Sequence, residues 1–185
     1  MRALPWTAVL VVLSPITIAA PARPAANLIV NGSFEDGPED FGEYKPLDKG
    51  SDAIKGWKVT RGQIDLIGTF WTSFEGKRSI DLHGSPGYGG VEQTIKTKKG
   101  KRYRVELQLA ATPGAGERGI WLEAAGDKKK FDVDSGEGTK EKLNWKKIEW
   151  EFTAVGDETT LEIYSTEKGD TAQGPVIDDV VVREK

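Results

Sequence analysis

The chain has 185 residues, no cysteine, 22 glycines and six tryptophans, with 26 basic residues against 29 acidic ones and a formal charge of −3. A mildly acidic balance gives no footing for nucleic acid, and the lack of cysteine excludes disulfides and thiolate metal sites. The length suits one ordinary domain with a sizeable core.

The first 26 residues read as a secretory signal peptide. Arg2 is followed by an uncharged run from Ala8 to Leu13 and then by small residues at Ala19, Ala20 and Ala22. The run is too short to span ~30 Å of hydrocarbon, and Ser14 and Pro15 interrupt it. Pro21 disfavours a cut directly after Ala20, so cleavage is expected between residues 20 and 26. No second long apolar stretch follows, which predicts export to the extracellular space or periplasm without membrane insertion. Removing residues 1–26 takes away two basic residues and no acids, leaving a domain over 27–185 with a charge of −5.

That domain opens on NLIVNGSFEDG (27–37). A short apolar strand, Leu28 to Val30, runs into the turn pair Asn31-Gly32, then Phe34 as a core anchor, then the acids Glu35 and Asp36. Residues 36–56 form the longest irregular stretch. Strands are then expected at 57–60, 63–67, 78–83, 91–95, 103–109, 118–123, 130–133, 148–152, 161–163 and 175–183. Within them apolar and polar residues alternate with period two. Clusters such as GSPGYGG (84–90) and TPGAGERG (112–119) mark the turns. With no helical periodicity sustained over three turns, the pattern predicts an antiparallel β-sandwich.

Within this frame the aromatic residues divide. Trp57 and Trp150 alternate with apolar neighbours and are expected in the core. Trp71 lies in a loop with Phe70 and Phe74, Tyr88 in a Gly-rich loop, and Trp121 on the face opposite Ile120 and Leu122. These three are the candidate sugar-binding residues, since flat aromatic faces stack on the C–H faces of pyranose rings. The competing assignment is that loop aromatics cap the ends of the core. The basic runs KTKKGKR (96–102) and KKK (128–130) fit a solvated hairpin turn and lysines guarding a sheet edge better than a patch for acidic polymer. His83, the only histidine, shares a strand face with Asp81 and is expected as a hydrogen-bonded surface residue. No G-x-S-x-G surrounds a serine, no second histidine supports a zinc site, and the acids Glu35, Asp65, Asp81 and Glu92 are expected to face solvent. No enzymatic activity is predicted.

The motifs NLIVNGSFEDGP, LDKGSDAIKGWKV, IDLIGTFW, GKRSIDLHG, GGVEQTIKTKKGKRYRVELQLA and GPVIDDVVV occur in the order found in the choice-of-anchor C family of secreted bacterial proteins. The chain resembles that family, and through it the plant cell-wall proteins that carry the domain of unknown function 642. Unlike the plant relatives it has no cysteine. The resemblance implies a galactose-binding-like jelly roll, the architecture of many carbohydrate-binding modules. It also implies a calcium ion tying the first strand to the last. Glu35 and one of Asp178 and Asp179 are the expected carboxylate ligands, among the hard oxygens that calcium requires. The expected function is a secreted, non-catalytic module that binds cell-wall or extracellular polysaccharide. The alternative is an extracellular interaction or structural domain whose partner is another exported protein.

Overall fold

The computed structural model describes residues 25–84, 87–167 and 173–185, so the predicted signal peptide lies almost wholly outside the described residues. Among the described residues there are eleven strands and no helix. In chain order they are β1 (Tyr44–Asp48), β2 (Lys58–Arg61), β3 (Gln63–Ile67), β4 (Ser79–Asp81), β5 (Gly90–Lys96) and β6 (Arg102–Ala111). Then come β7 (Glu117–Ala124), β8 (Asp127–Asp134), β9 (Lys146–Thr153), β10 (Glu158–Ser165) and β11 (Pro175–Glu184). They form two antiparallel sheets, one ordered β1-β3-β4-β11-β6-β9 and the other β2-β5-β10-β7-β8. The expected all-β sandwich is the observed one.

Alternation explains the packing. Each strand turns every second residue inward, so Leu66, Ile80, Leu109, Ile120, Ile163 and Val182 meet in one buried cluster between the sheets. Fully burying such side chains stabilises by about 1.5–3 kcal/mol each. Trp57 and Trp150 join the cluster as expected. On the outer face of the six-stranded sheet, β6, β9 and β11 carry a lattice of charges. Lys147 pairs with Glu106 at 3.0 Å and with Glu149 at 2.8 Å, and Arg104 pairs with Glu151 at 3.1 Å. The upper part of that same face is roofed instead: Trp71 and Leu143, from the loops on either side, cover Ile67, Ala110 and Val176.

Three expectations change. Residues 28–30 are extended but form no strand. Side chains replace the ladder there: Asn27 Oδ1 accepts from Val182 N at 3.0 Å, and Gln93 both donates to Val30 O and accepts from Val30 N. One main-chain bond, Leu28 N to Val182 O at 2.8 Å, sets this segment beside the half of β11 that β4 does not reach. The "irregular" stretch contains β1, an edge strand in which Pro46, lacking an N–H, is tolerated. The 96–102 run is not a hairpin, because β5 and β6 lie in different sheets. It crosses between them, and Lys98 and Lys101 reach Glu184 at 3.5 and 3.8 Å. Lys128–Lys130, by contrast, do sit on an edge strand, β8.

The opening motif is a hub. Asn31 has a left-handed backbone (φ 56°), which asparagine tolerates. Its side-chain amide donates to Asp36 O and Lys55 O and accepts from Asp36 N. Its carbonyl accepts from Trp57 Nε1 at 2.9 Å, and the Trp57 ring lies 5.3 Å from that of Phe34, which is fully buried.

Candidate functional site

The site is built from a repeated triplet. Ile64-Asp65-Leu66 lies in β3, and Ile80-Asp81-Leu82 lies in and just after β4. In each the apolar pair points into the core, so the aspartate is driven to the outer face. The register β3↔β4 sets Asp65 directly opposite Asp81. Directly opposed residues share a face and stand within contact distance. The two carboxylates therefore lie side by side on the floor of a cleft of about 450 Å³. Its walls include Tyr44, Phe70 and Trp71 on one side and Thr112, Pro113 and Gln173 on the other. The aromatic wall is continuous, with Tyr44 and Phe70 edge to face at 5.8 Å and Phe70 and Trp71 tilted at 5.2 Å. Lys140 Nζ sits 3.5 Å from the centre of the Phe70 ring.

The two acids are held differently. Asp81, only 3% exposed, accepts from His83 N at 2.9 Å and has Thr112 Oγ1 at 3.2 Å. Asp65 Oδ1 is buried with no hydrogen-bond partner among the described residues. Burial is the main cause that raises Asp65 to about 6 and Asp81 to about 7; at Asp81 the His83 N–H works against it and the nearby Asp65 charge works with it. Both acids are thus held well above the ordinary carboxylate range. The cleft thus offers an aromatic wall and an unused acceptor. His83 is not at the surface but 1% exposed, just after β4.

The three predicted aromatic residues do not converge. Trp71 lines the cleft but is 5% exposed, with its indole N–H donating to Ser79 Oγ at 3.0 Å. Tyr88, 44% exposed, lines a separate groove with Lys49, Thr60 and Arg61. Trp121 is part-buried on the outer face of the other sheet, where Lys128 Nζ covers its ring at 4.9 Å. Sequence reasoning passed over Tyr44 and assigned Asp65 and Asp81 to solvent. The doubled Ile-Asp-Leu was the available signal, since an acid between two core residues on two neighbouring strands marks one spot on the outer face.

The predicted metal ligands have a common target. Glu35 Oε1 accepts from Lys77 N and Arg78 N at 2.8 and 2.9 Å, and Asp178 Oδ2 accepts from Phe74 N and Glu75 N, both at 2.9 Å. These acids stand beside the core because they anchor the 74–78 loop by its main chain. Gly76 is required there: it has φ 63°, and a Cβ would run into the Glu35 carboxylate. Asp178 is fully buried, and burial pushes it up to about 7. Asp179, at a bulge in β11 with φ 49°, is less buried, and burial still raises its pKa, with the Glu75 charge adding to the rise and Arg183 opposing it. No three His, Cys, Asp or Glu side chains cluster to hold a metal among the described residues. A hard cation held by Glu35 and Asp178 would therefore complete its shell from backbone carbonyls, which calcium accepts.

A profile of the family described as "Protein of unknown function (DUF642)" matches residues 27–183. The chain is a DUF642 protein. This DUF642 chain is 30% identical over 185 residues to halomucin of Haloquadratum walsbyi, an alignment covering 96% of this chain and 2% of halomucin. The chain therefore spans a small fraction of that relative's length. Among solved structures the DUF642 fold is similar to TmCBM61, determined with β-1,4-galactotriose (TM-score 0.52, 16% identity, 87% of this chain and 100% of that one). It is also similar to a family 35 carbohydrate-binding module from Clostridium thermocellum (TM-score 0.50, 14% identity, 75% and 97% covered). A third similar structure is CBM35 from Paenibacillus barcinonensis (TM-score 0.50, 15% identity, 76% and 99% covered). At these identities the likeness establishes the jelly-roll fold.

Proposed function

We propose that this domain is an exported, non-catalytic module that binds polysaccharide through the Asp65–Asp81 cleft. The observation that carries the proposal is the buried, unpartnered Asp65 Oδ1 beside an aromatic wall. A pyranose brings hydroxyl donors for the first and an apolar C–H face for the second. The carbohydrate-binding modules that share the fold support the ligand class. The motif order shared with choice-of-anchor C proteins supports export and a place at a cell wall or extracellular matrix.

The test is binding to a panel of soluble galactans, xylans and glucans. Asp65→Asn keeps the volume but swaps an acceptor for a donor, and Tyr44→Ala removes an exposed ring. Each should weaken binding about tenfold or more, equivalent to about 1.4 kcal/mol, with the fold intact by circular dichroism. Unchanged affinity in both variants would remove the cleft from consideration. Paired carboxylates also favour a second assignment, a glycoside hydrolase. Release of reducing ends from any bound polymer, lost in Asp81→Asn, would establish it.

Calcium forms part of the proposal, with Glu35 and Asp178 as carboxylate ligands and Asp179 set aside by its position at the bulge. The ion would neutralise a buried carboxylate for which no Lys or Arg lies within ion-pair distance among the described residues. A cation that binds only the folded state stabilises by about 2.7 kcal/mol at a hundredfold excess over Kd. The metal-stripped protein should therefore gain several degrees in Tm with Ca²⁺ and little with Mg²⁺. Glu35→Gln should abolish the gain. A Tm indifferent to Ca²⁺ would exclude the site.

A further inference from the structure

Among the described residues the Asp65–Asp81 pair has no counter-ion: no lysine or arginine lies within ion-pair distance of either carboxylate. The one lysine lining the cleft, Lys140, is placed over the Phe70 ring. Arg118, on the Gln173 side, donates from Nε to Gln173 O at 2.6 Å and from Nη1 to Glu117 O at 2.7 Å. The floor of the cleft is thus an acceptor-rich spot under an aromatic wall, where burial holds two acids above their ordinary range and a bound cation would favour their ionised form.

A neutral sugar uses that spot incompletely. Its hydroxyls supply donors to Asp65 but nothing that offsets two carboxylates facing each other across the β3–β4 register. A primary ammonium supplies both, with three donors and a full positive charge in one compact group. Its attraction to the carboxylates is strengthened by their partial removal from water. The Tyr44 ring suits a cation as well, because its face carries negative quadrupole charge.

We propose that the ligand class of this cleft is an amino sugar with a free amine, its ammonium seated between Asp65 and Asp81 and its ring face against the exposed Tyr44 ring. This rests on the sugar-binding assignment of the cleft and narrows it.

The experiment compares three β-1,4-linked oligosaccharides of equal length by titration calorimetry at pH 6: glucosamine, N-acetylglucosamine and glucose. Galactan and xylan oligosaccharides are included as further neutral ligands. The free-amine oligomer should bind at least tenfold tighter than its N-acetylated counterpart. Asp65→Asn, and Asp65→Ser as a second variant should the first fail to fold, should reduce that preference to about threefold or less. A neutral oligosaccharide that binds as tightly as the amine would overturn the inference and leave the sugar site standing. A preference that survives both Asp65 variants would also overturn it, since it would reflect the overall acidity of the domain. Absence of binding by every oligosaccharide would remove the sugar-binding assignment itself.

Discussion

Lowering the pH of the metal-free protein from 8 to 5 should raise its Tm, the reverse of ordinary acid destabilisation. Asp81 and Asp178 are buried, and burial lifts both to about 7, against about 4 in an unfolded chain. The folded state therefore binds these protons more tightly than the unfolded state. By linkage their contribution is fully present below about pH 4 and is lost as pH rises from there through about 7. Between pH 8 and pH 5 each group can contribute as much as about 2–3 kcal/mol, and about 1 kcal/mol shifts Tm by roughly 2–4 °C in a domain of this size. Surface acids such as Glu149, Glu151 and Glu158 are lowered by their lysine partners. They oppose the trend only at more acidic pH, so the optimum should fall near pH 5. Melting curves at pH 5, 6, 7 and 8 check this, with Asp81→Asn and Asp178→Asn each flattening the profile. A Tm that declines steadily from pH 8 to pH 5 would contradict it. Calcium bound at Asp178 would hold that carboxylate ionised and shrink the slope, which separates its share from that of Asp81.

Phe34→Ala should be among the most damaging single substitutions in the domain. Phe34 is fully buried, packs on Trp57, and sits one residue before the Glu35 carboxylate that holds the 77–78 main chain. Removing a buried phenyl ring costs about 3–5 kcal/mol through lost transfer energy and the cavity left behind. The backbone there is already left-handed (φ 61°), an unfavourable conformation for any residue with a Cβ, so alanine keeps that cost while losing the packing. Urea unfolding should show the full loss at an unchanged m value, with Phe34→Leu intermediate. A loss below about 1 kcal/mol would mean that the NGSFE segment is peripheral to the core.

The strands were legible because period two is a local signal. Gln63–Ile67 was expected and found with the same bounds, and Phe34, Trp57 and Trp150 were expected in the core and lie there. β1 was not legible, because five residues with an internal proline carry too little alternation to stand out. The cleft was legible only in fragments. Alternation places Asp65 and Asp81 on an outer face but does not say which outer faces a loop will cover. Nor does it say that two aspartates sixteen positions apart will be matched in register. The same ambiguity hid the fate of Trp71: a loop aromatic beside a bare sheet is a platform, and beside Ile67, Ala110 and Val176 it becomes part of a roof. Tyr88 and Trp121 were grouped with it by residue type, whereas their strands and loops carry them to different surfaces.

The bond between Leu28 N and Val182 O places both ends of the described domain at one pole. β6 and β11 then run the length of the sandwich, from Tyr103 and Glu184 at that pole to Ala111 and Pro175 beside the cleft, a span of about 25–30 Å. Any polypeptide joined before residue 27 or after residue 185 attaches at the far end from Asp65 and Asp81. A carrier joined at either end would hold the domain like a lamp on a bracket, with both connections on one stem and the cleft facing away from it.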